Sequence, residues 1–242
     1  MGKMKLVTGG PELRKDCKNY DKDAFSKAGN TVDTIISRLN EGKVEVLLIK
    51  RKYEPDIGKW AIPGGFLNVE KNEPLDAASV RKLEEETNVS GIHVRQLHTY
   101  GEPDRDLRDR IITTAYYALI SNAALDKTDI VPGEDVVPDA YKWADVRSLR
   151  NMALDHKTII QDFLKEIQER VQFSPIAFEL VPEEFTWKEI KESFEAILGK
   201  SMDGNFRRNL KSLYEIEDTG RKTSTGYRPA ALLKFKGSKR MF

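Results

Sequence analysis

The sequence predicts an α+β chain in two parts, a strand-rich sandwich followed by a small helix-turn-helix with a β-hairpin wing. Three observations predict it. From residue 31 to about 155, strand-length apolar runs alternate with few helical segments. After Ser174-Pro175 come two amphipathic helices and a Gly-containing basic hairpin. The charge also divides along the chain. Gly199–Phe242 carries 11 Lys/Arg against 4 Asp/Glu, a net +7, while residues 1–198 carry 29 against 35, a net −6. The overall +1 hides this. A basic tail behind an acidic body points to a module that meets a polyanion.

Composition bounds the class. The 242 residues are 39% hydrophobic and 33% charged, enough apolar content for a packed core. The longest apolar runs, such as residues 46–49, are strand-sized, and none approaches the roughly 18 residues of a membrane helix. The N-terminus has no apolar stretch of signal-peptide length, and Leu6 stands where a myristoylation motif wants Ser or Thr. A single cysteine, Cys17, excludes a disulfide framework and fits a reducing compartment, so a cytoplasmic location without membrane attachment is expected. His93, His98 and His156 have no second His or Cys at zinc-ligand spacing.

The elements follow in order. Residues 1–30 are polar, with little periodicity, and read as an arm. Strands are predicted at 31–37 and 44–49, joined by the turn Asn40-Glu41-Gly42-Lys43, and at 60–63, running into Gly64-Gly65. A helix is predicted at about 75–88, then strands at 93–100 and 111–120 around a charged loop at 102–110. Residues 141–144 close the sheet. From about 156 to 171, Ile159, Ile160, Phe163, Leu164 and Ile167 recur at helical spacing.

Residues 64–89 resemble the Nudix signature, in which Gly, Glu and an Arg-Glu-apolar-x-Glu-Glu-x-Gly-apolar run hold a metal-dependent pyrophosphatase site. Carboxylates at i, i+3 and i+4 share one helix face. There they hold Mg²⁺ or Mn²⁺ against a pyrophosphate and activate water. Glu73, Arg81, Glu85 and Glu86 match. Lys82 replaces the first glutamate of the triplet, Asn88 replaces the last glycine, and the Gly65-to-Glu73 interval is two residues too long. An ammonium in place of a carboxylate opposes divalent binding, so weak or no hydrolysis is expected. Ala77, Val80 and Leu83 are expected to face the core, with Glu85 and Glu86 on the other side as the candidate metal ligands.

In the second part, Thr186-x-x-Glu189 is a capping box. Trp187, Ile190, Phe194, Ile197 and Leu198 form one apolar face, and Gly199 stops the helix. In the next helix Phe206, Leu210 and Leu213 form a stripe, and Arg207, Arg208 and Lys211 lie on an adjoining face. That suits a recognition helix. Arg221, Lys222 and Arg228 belong to the hairpin wing, placed to grip backbone phosphate. A charged hairpin on a dimerisation module is the alternative.

Both halves, in this order, resemble the Nudix-related (NrtR-like) transcriptional regulators of bacterial NAD and sugar metabolism. The likeness rests on residues 63–66, 103–110, 115–120, 178–186, 205–208 and 226–230. It implies a Nudix α/β/α sandwich over 31–155, a linker helix over 156–173 and a winged helix-turn-helix over 174–242. It implies a homodimeric repressor of duplex DNA whose Nudix domain senses ADP-ribose or a sugar, with no cofactor required. Arg51, Lys52, Gly64, Gly65, Arg105 and Arg108 become ligand-site candidates, since guanidinium forks suit phosphates. Ion pairing with Asp104, Asp106 and Asp109 is the competing role for the arginines. One of Tyr116 and Tyr117 is expected to face the pocket, because strand residues alternate. The alternative function is a Mg²⁺- or Mn²⁺-dependent hydrolase of ADP-ribose or a related nucleotide.

Overall fold

The computed structural model describes residues 26–126, 130–133, 136–224 and 229–239. The first part is one mixed sheet between helices. Its strands are β1 (Gly29–Asn40), β2 (Lys43–Arg51), β3 (Trp60–Ala61), β4 (Gly64–Phe66), β5 (Arg95–Tyr100), β6 (Ile111–Leu119) and β7 (Val136–Asp145). The order is β3-β2-β1-β6-β5, with β4 also paired to β1 and β7 to β2. The β1–β6 pair is parallel and the others are antiparallel. Glu41 and Gly42, both at positive φ, make the tight β1–β2 hairpin turn that the Asn-Glu-Gly-Lys segment predicts.

Helix α1 (Leu75–Thr87) covers one face of the sheet, and α3 (His156–Arg170) covers the other; α2 (Asn122–Leu125) is a single turn. Strand alternation divides the core between them. Val32 and Tyr116 meet Ala78 of α1, and Ile36, Leu47 and Ala118 meet its Leu83. Ile35, Val46, Leu48 and Tyr117 pack with Ile159, Phe163 and Ile167 of α3. Because both faces are covered, β1 is buried from Thr31 to Ser37.

The rotation of α1 departs from expectation. Ala77 is exposed, and the buried residues are Ala78, Ser79, Leu83, Glu86 and Thr87. Glu86 thus lies inward, not on the outer face. Its carboxylate is held by the backbone of β4, a partner that helical periodicity cannot reveal. At the helix end Asn88 takes the left-handed conformation, and its N–H donates to the Glu84 carbonyl at 2.8 Å.

After α3 come a 3-10 turn (Ile176–Leu180), β8 (Glu184–Phe185), α4 (Trp187–Leu198), α5 (Phe206–Leu213), β9 (Tyr214–Lys222) and β10 (Ala231–Ser238), with sheet order β8-β10-β9. Thr186 and Glu189 form the predicted capping box, and Gly199 ends α4 at φ 69°. Phe178 is the hub of this core. Its ring stacks on Phe235 at 4.5 Å between centroids and meets Phe185 and Tyr214 edge-on.

The two parts share one hydrophobic cluster, which runs from Tyr117 through Phe163 to Phe178 and Phe206. Polar ties reinforce it. Arg147 donates to the carbonyls of Ala196 and Ile197, and Gln168 donates to that of Ile197, so a cation caps the C-terminus of α4. Arg95 forms two 2.7 Å bonds to Glu179. Among the described residues, no helix is long and apolar enough to cross a membrane.

Candidate functional site

A cleft of ≈ 640 Å³ opens where β1, β2, β4, α1, the loop 101–110 and the start of α3 converge. Arg51, Lys52, Gly64, Gly65, Arg105 and Arg108 all line it. Residues from distant stretches of chain therefore meet, as a ligand site requires. Their chemical states differ.

Arg108 stands at the mouth, its guanidinium bonded to Asp106 at 2.7 and 3.0 Å and 5.4 Å from the Phe66 ring. These bonds to Asp106 raise its pKa. Arg51 donates Nε–H to the Pro55 carbonyl at 2.8 Å. Burial lowers its pKa, and the positive charge of Arg108 lowers it further. Lys52 is exposed, with its ammonium 5.4 Å from the Tyr53 ring.

Arg105 corrects an expectation. It reaches the cleft floor, but its side chain is 2% exposed and its fork is closed on Asp155 by two 2.8 Å bonds. Asp33 lies 3.8 Å away. Its partner is Asp155, not the neighbouring Asp104, Asp106 or Asp109. Asp155 precedes α3 without capping it through its side chain. The pair therefore joins the loop 101–110 to the head of α3.

The neighbouring His156 is buried. Its Nδ1 accepts the Ile62 N–H at 2.9 Å, which puts the ring proton on Nε2, 3.8 Å from Asp33. Burial pushes its pKa down, so the ring is held neutral. Asp33 in turn accepts from the Thr113 hydroxyl at 2.7 Å. Neither Asp33 nor His156 is singled out by spacing in the sequence. An acid inside the apolar run of β1 is the one available signal for Asp33. Tyr116 and Tyr117 give a further correction, since neither lines the cleft. Strand alternation sends Tyr116 to Asp76 of α1 and Tyr117 to Phe163 of α3.

The two glycines serve close approach. A Cβ on Gly64 would lie 2.2 Å from the Asp33 carboxylate and 2.4 Å from the Val32 carbonyl. A Cβ on Gly65 would lie 2.8 Å from Cε of Lys82.

On the second part, Phe206 and Leu210 are buried, while Arg207, Arg208 and Lys211 point outward along α5. Arg207 and Lys211 both lie 5.5 Å from the Trp187 ring. On the wing, Arg221 pairs with Glu184 of β8, and Lys222 is exposed. Arg228 lies outside the described residues.

Comparison with known proteins fits this geometry. Residues 29–163 match the NUDIX domain, and residues 177–235 match the NrtR DNA-binding winged helix domain. The chain is 30% identical to the ADPR responsive transcriptional repressor NtrR of Acinetobacter baylyi, over 89% of this chain and 85% of that one. The chain belongs to the NrtR family. It is also similar to the Shewanella oneidensis NrtR solved with a 27mer DNA. That match has a TM-score of 0.72 and 31% identity, and it covers 85% of this chain and 93% of that one. The Nudix domain of the same relative, solved with ADP ribose, matches at TM-score 0.56 and 29% identity, over 64% and 97% of the two chains. An ADP-ribose pyrophosphatase of Methanocaldococcus jannaschii is 34% identical over 63% of this chain and 81% of that one.

The Nudix hydrolase metal site can be tested against the residues present. A divalent cation needs several oxygen ligands free to turn toward it. Glu85, expected as one of them, is bonded to Arg81 at 3.0 Å and lies 3.0 Å from the Lys82 ammonium. Burial pulls its pKa up, but the hydrogen bonds from Lys82 and Arg81 outweigh this and hold it low. Glu86, the other expected ligand, accepts the Gly64 N–H at 2.8 Å. Glu73 is clamped by Arg81 at 2.6 and 2.7 Å, which lowers its pKa to about 2. Among the described residues, no group of three acidic, His or Cys side chains is placed to hold a metal. The set does not fit Mg²⁺ or Mn²⁺. Glu85 is an ion-pair partner of its own helix, and Glu86 is an acceptor for β4.

Proposed function

We propose that this protein is a DNA-binding transcriptional repressor whose Nudix cleft senses ADP-ribose. The carrying observation is the combination of a cleft that brings Arg51, Lys52 and Arg108 together with an exposed recognition-helix face. The cleft offers Arg51, Lys52 and Arg108 to a diphosphate. The helix offers Arg207, Arg208 and Lys211 to a duplex. The relatives' response to ADP-ribose and their complex with DNA support the same pairing of roles.

The route between the sites is physical. The loop 101–110 is tied to the head of α3 by Arg105–Asp155, and α3 packs against α4 through the shared core and Gln168. A ligand that repositions this loop changes the placement of the winged part. In a homodimer on a palindromic operator it thereby changes the fit to two half-sites.

Selection from a random duplex pool at about physiological salt tests the reading, because nonspecific phosphate contacts are suppressed there. A palindromic site is expected to emerge, ADP-ribose to change its occupancy, and Arg207→Ala with Arg208→Ala to abolish binding. No enrichment at any salt would overturn it. The likeness to an ADP-ribose pyrophosphatase favours the hydrolase as a second reading. Appreciable AMP release from ADP-ribose in Mg²⁺ would establish that reading.

A further inference from the structure

Glu73, Glu85 and Glu86 of the Nudix box each accept from the protein itself, and a lysine within the box pairs with one of them. Lys82 lies on the cleft side of α1, with its side chain 17% exposed among the lining residues. Its ammonium sits 3.0 Å from Glu85, a carboxylate that a metal would otherwise claim. Its stem runs over Gly65, where a Cβ would meet Cε at 2.8 Å, Cδ at 3.0 Å and Nζ at 3.3 Å. The glycine therefore makes the passage for the lysine.

We infer that the Lys82 ammonium stands in for the divalent cation of the Nudix hydrolases, so that the cleft binds the diphosphate of its effector without metal. The inference rests on the proposal that the effector is ADP-ribose. Three features carry it. Lys82 replaces one carboxylate of the triplet and holds a second, Glu85, at 3.0 Å, so a metal would have to displace that ammonium to enter. Lys82 lines the cleft and Glu85 does not, so the ion pair holds a compact point charge at the cleft wall. Arg51 and Arg108 line the same cleft, where a bound anion offsets the burial, and after it the repulsion from Arg108, that lower the Arg51 pKa. A diphosphate carries two charged phosphate groups, and Lys82, Arg51 and Arg108 supply the countercharge that Mg²⁺ provides in the enzymes.

Calorimetric titration of the full chain with ADP-ribose, once in EDTA and once in Mg²⁺, tests this. Equal affinity in the two buffers is expected. Lys82→Met, which keeps the stem and removes the charge, is expected to lose about tenfold or more in both. Gly65→Ala, which displaces the stem without touching the charge, is expected to lose affinity while melting like wild type. A wild-type affinity that rises tenfold in Mg²⁺ would overturn the inference, as would a folded Lys82→Met that binds normally. Inorganic pyrophosphate separates the two levels. If pyrophosphate binds in EDTA through Lys82 but ADP-ribose does not, the metal-free site stands and the effector reading falls. If neither binds, both fall.

Discussion

Replacing Arg105 with alanine should damage the fold before it damages ligand binding. The guanidinium is 2% exposed, makes two 2.8 Å charge-assisted bonds to Asp155 and lies 3.8 Å from Asp33. Its removal leaves Asp33 buried without its nearest cation and Asp155 without its fork. Breaking a buried pair from one side costs about 3–5 kcal/mol. Asp155 is 20% exposed and recovers some hydration, which places the loss near the lower bound, about 3 kcal/mol. For a chain of this size each kcal/mol lowers the melting temperature by roughly 2–4 °C, so a fall of about 6–12 °C is expected. Calorimetry of the free protein measures it. Arg105→Met with Asp155→Leu should recover part of the loss, because it removes both charges of the pair. If Arg105→Ala melts within about 1 °C of wild type and only ADP-ribose affinity falls, Arg105 is a ligand arginine and its structural assignment is wrong.

Three further outcomes follow from the same geometry. His156 is held neutral by burial, against the pull of Asp33 and Asp155 and with the help of Arg105 and Arg51, so its folded pKa lies below its ordinary 6.5. Below 6.5 the unfolded chain binds the extra proton, so the His156 contribution is complete above that pH and is lost as pH falls toward the folded value. His156→Asn, which can still accept from Ile62 N–H, should flatten that part of the melting-temperature profile. Gly64→Ala should destabilise at or above the upper end of about 1–3 kcal/mol, because its Cβ overlaps the backbone of β1, where no flexible chain end can yield; chemical denaturation reads it. Trp187→Leu removes the ring beside Arg207 and Lys211 and should weaken operator binding about three- to tenfold. The salt slope should stay constant because both cations remain.

Much of the architecture was legible because the signals are local. The turn residues 40–43, the Ile159–Ile167 periodicity, the Thr186–Glu189 box and the Gly199 stop each depend on neighbours within a few positions. The same holds for the exposed cations beside the Phe206–Leu210 stripe. The replacement of a carboxylate by Lys82 was equally plain, because the spacing from Glu73 through Arg81 to Glu85 and Glu86 places the position unambiguously.

The cleft was legible as a set of residues but not as a set of states. Arg51, Lys52, Gly64, Gly65, Arg105 and Arg108 all converge, yet Arg105 is engaged by an aspartate 50 positions away, and Glu86 by a backbone amide on another element. His156 carried no motif, and its neutrality comes from burial and from Ile62, 94 positions earlier. Alternation along β6 showed that Tyr116 and Tyr117 part company, but not that the two layers they enter both lie away from the cleft. The longer strands and helices, the Thr186–Glu189 box, the Gly199 stop and the charge of each part were determined by the sequence alone, since propensity and periodicity act over one or two turns. Which charges are engaged, and which still face the cleft, was decided only by tertiary structure, because burial and pairing depend on side chains that chain folding brings together from distant positions.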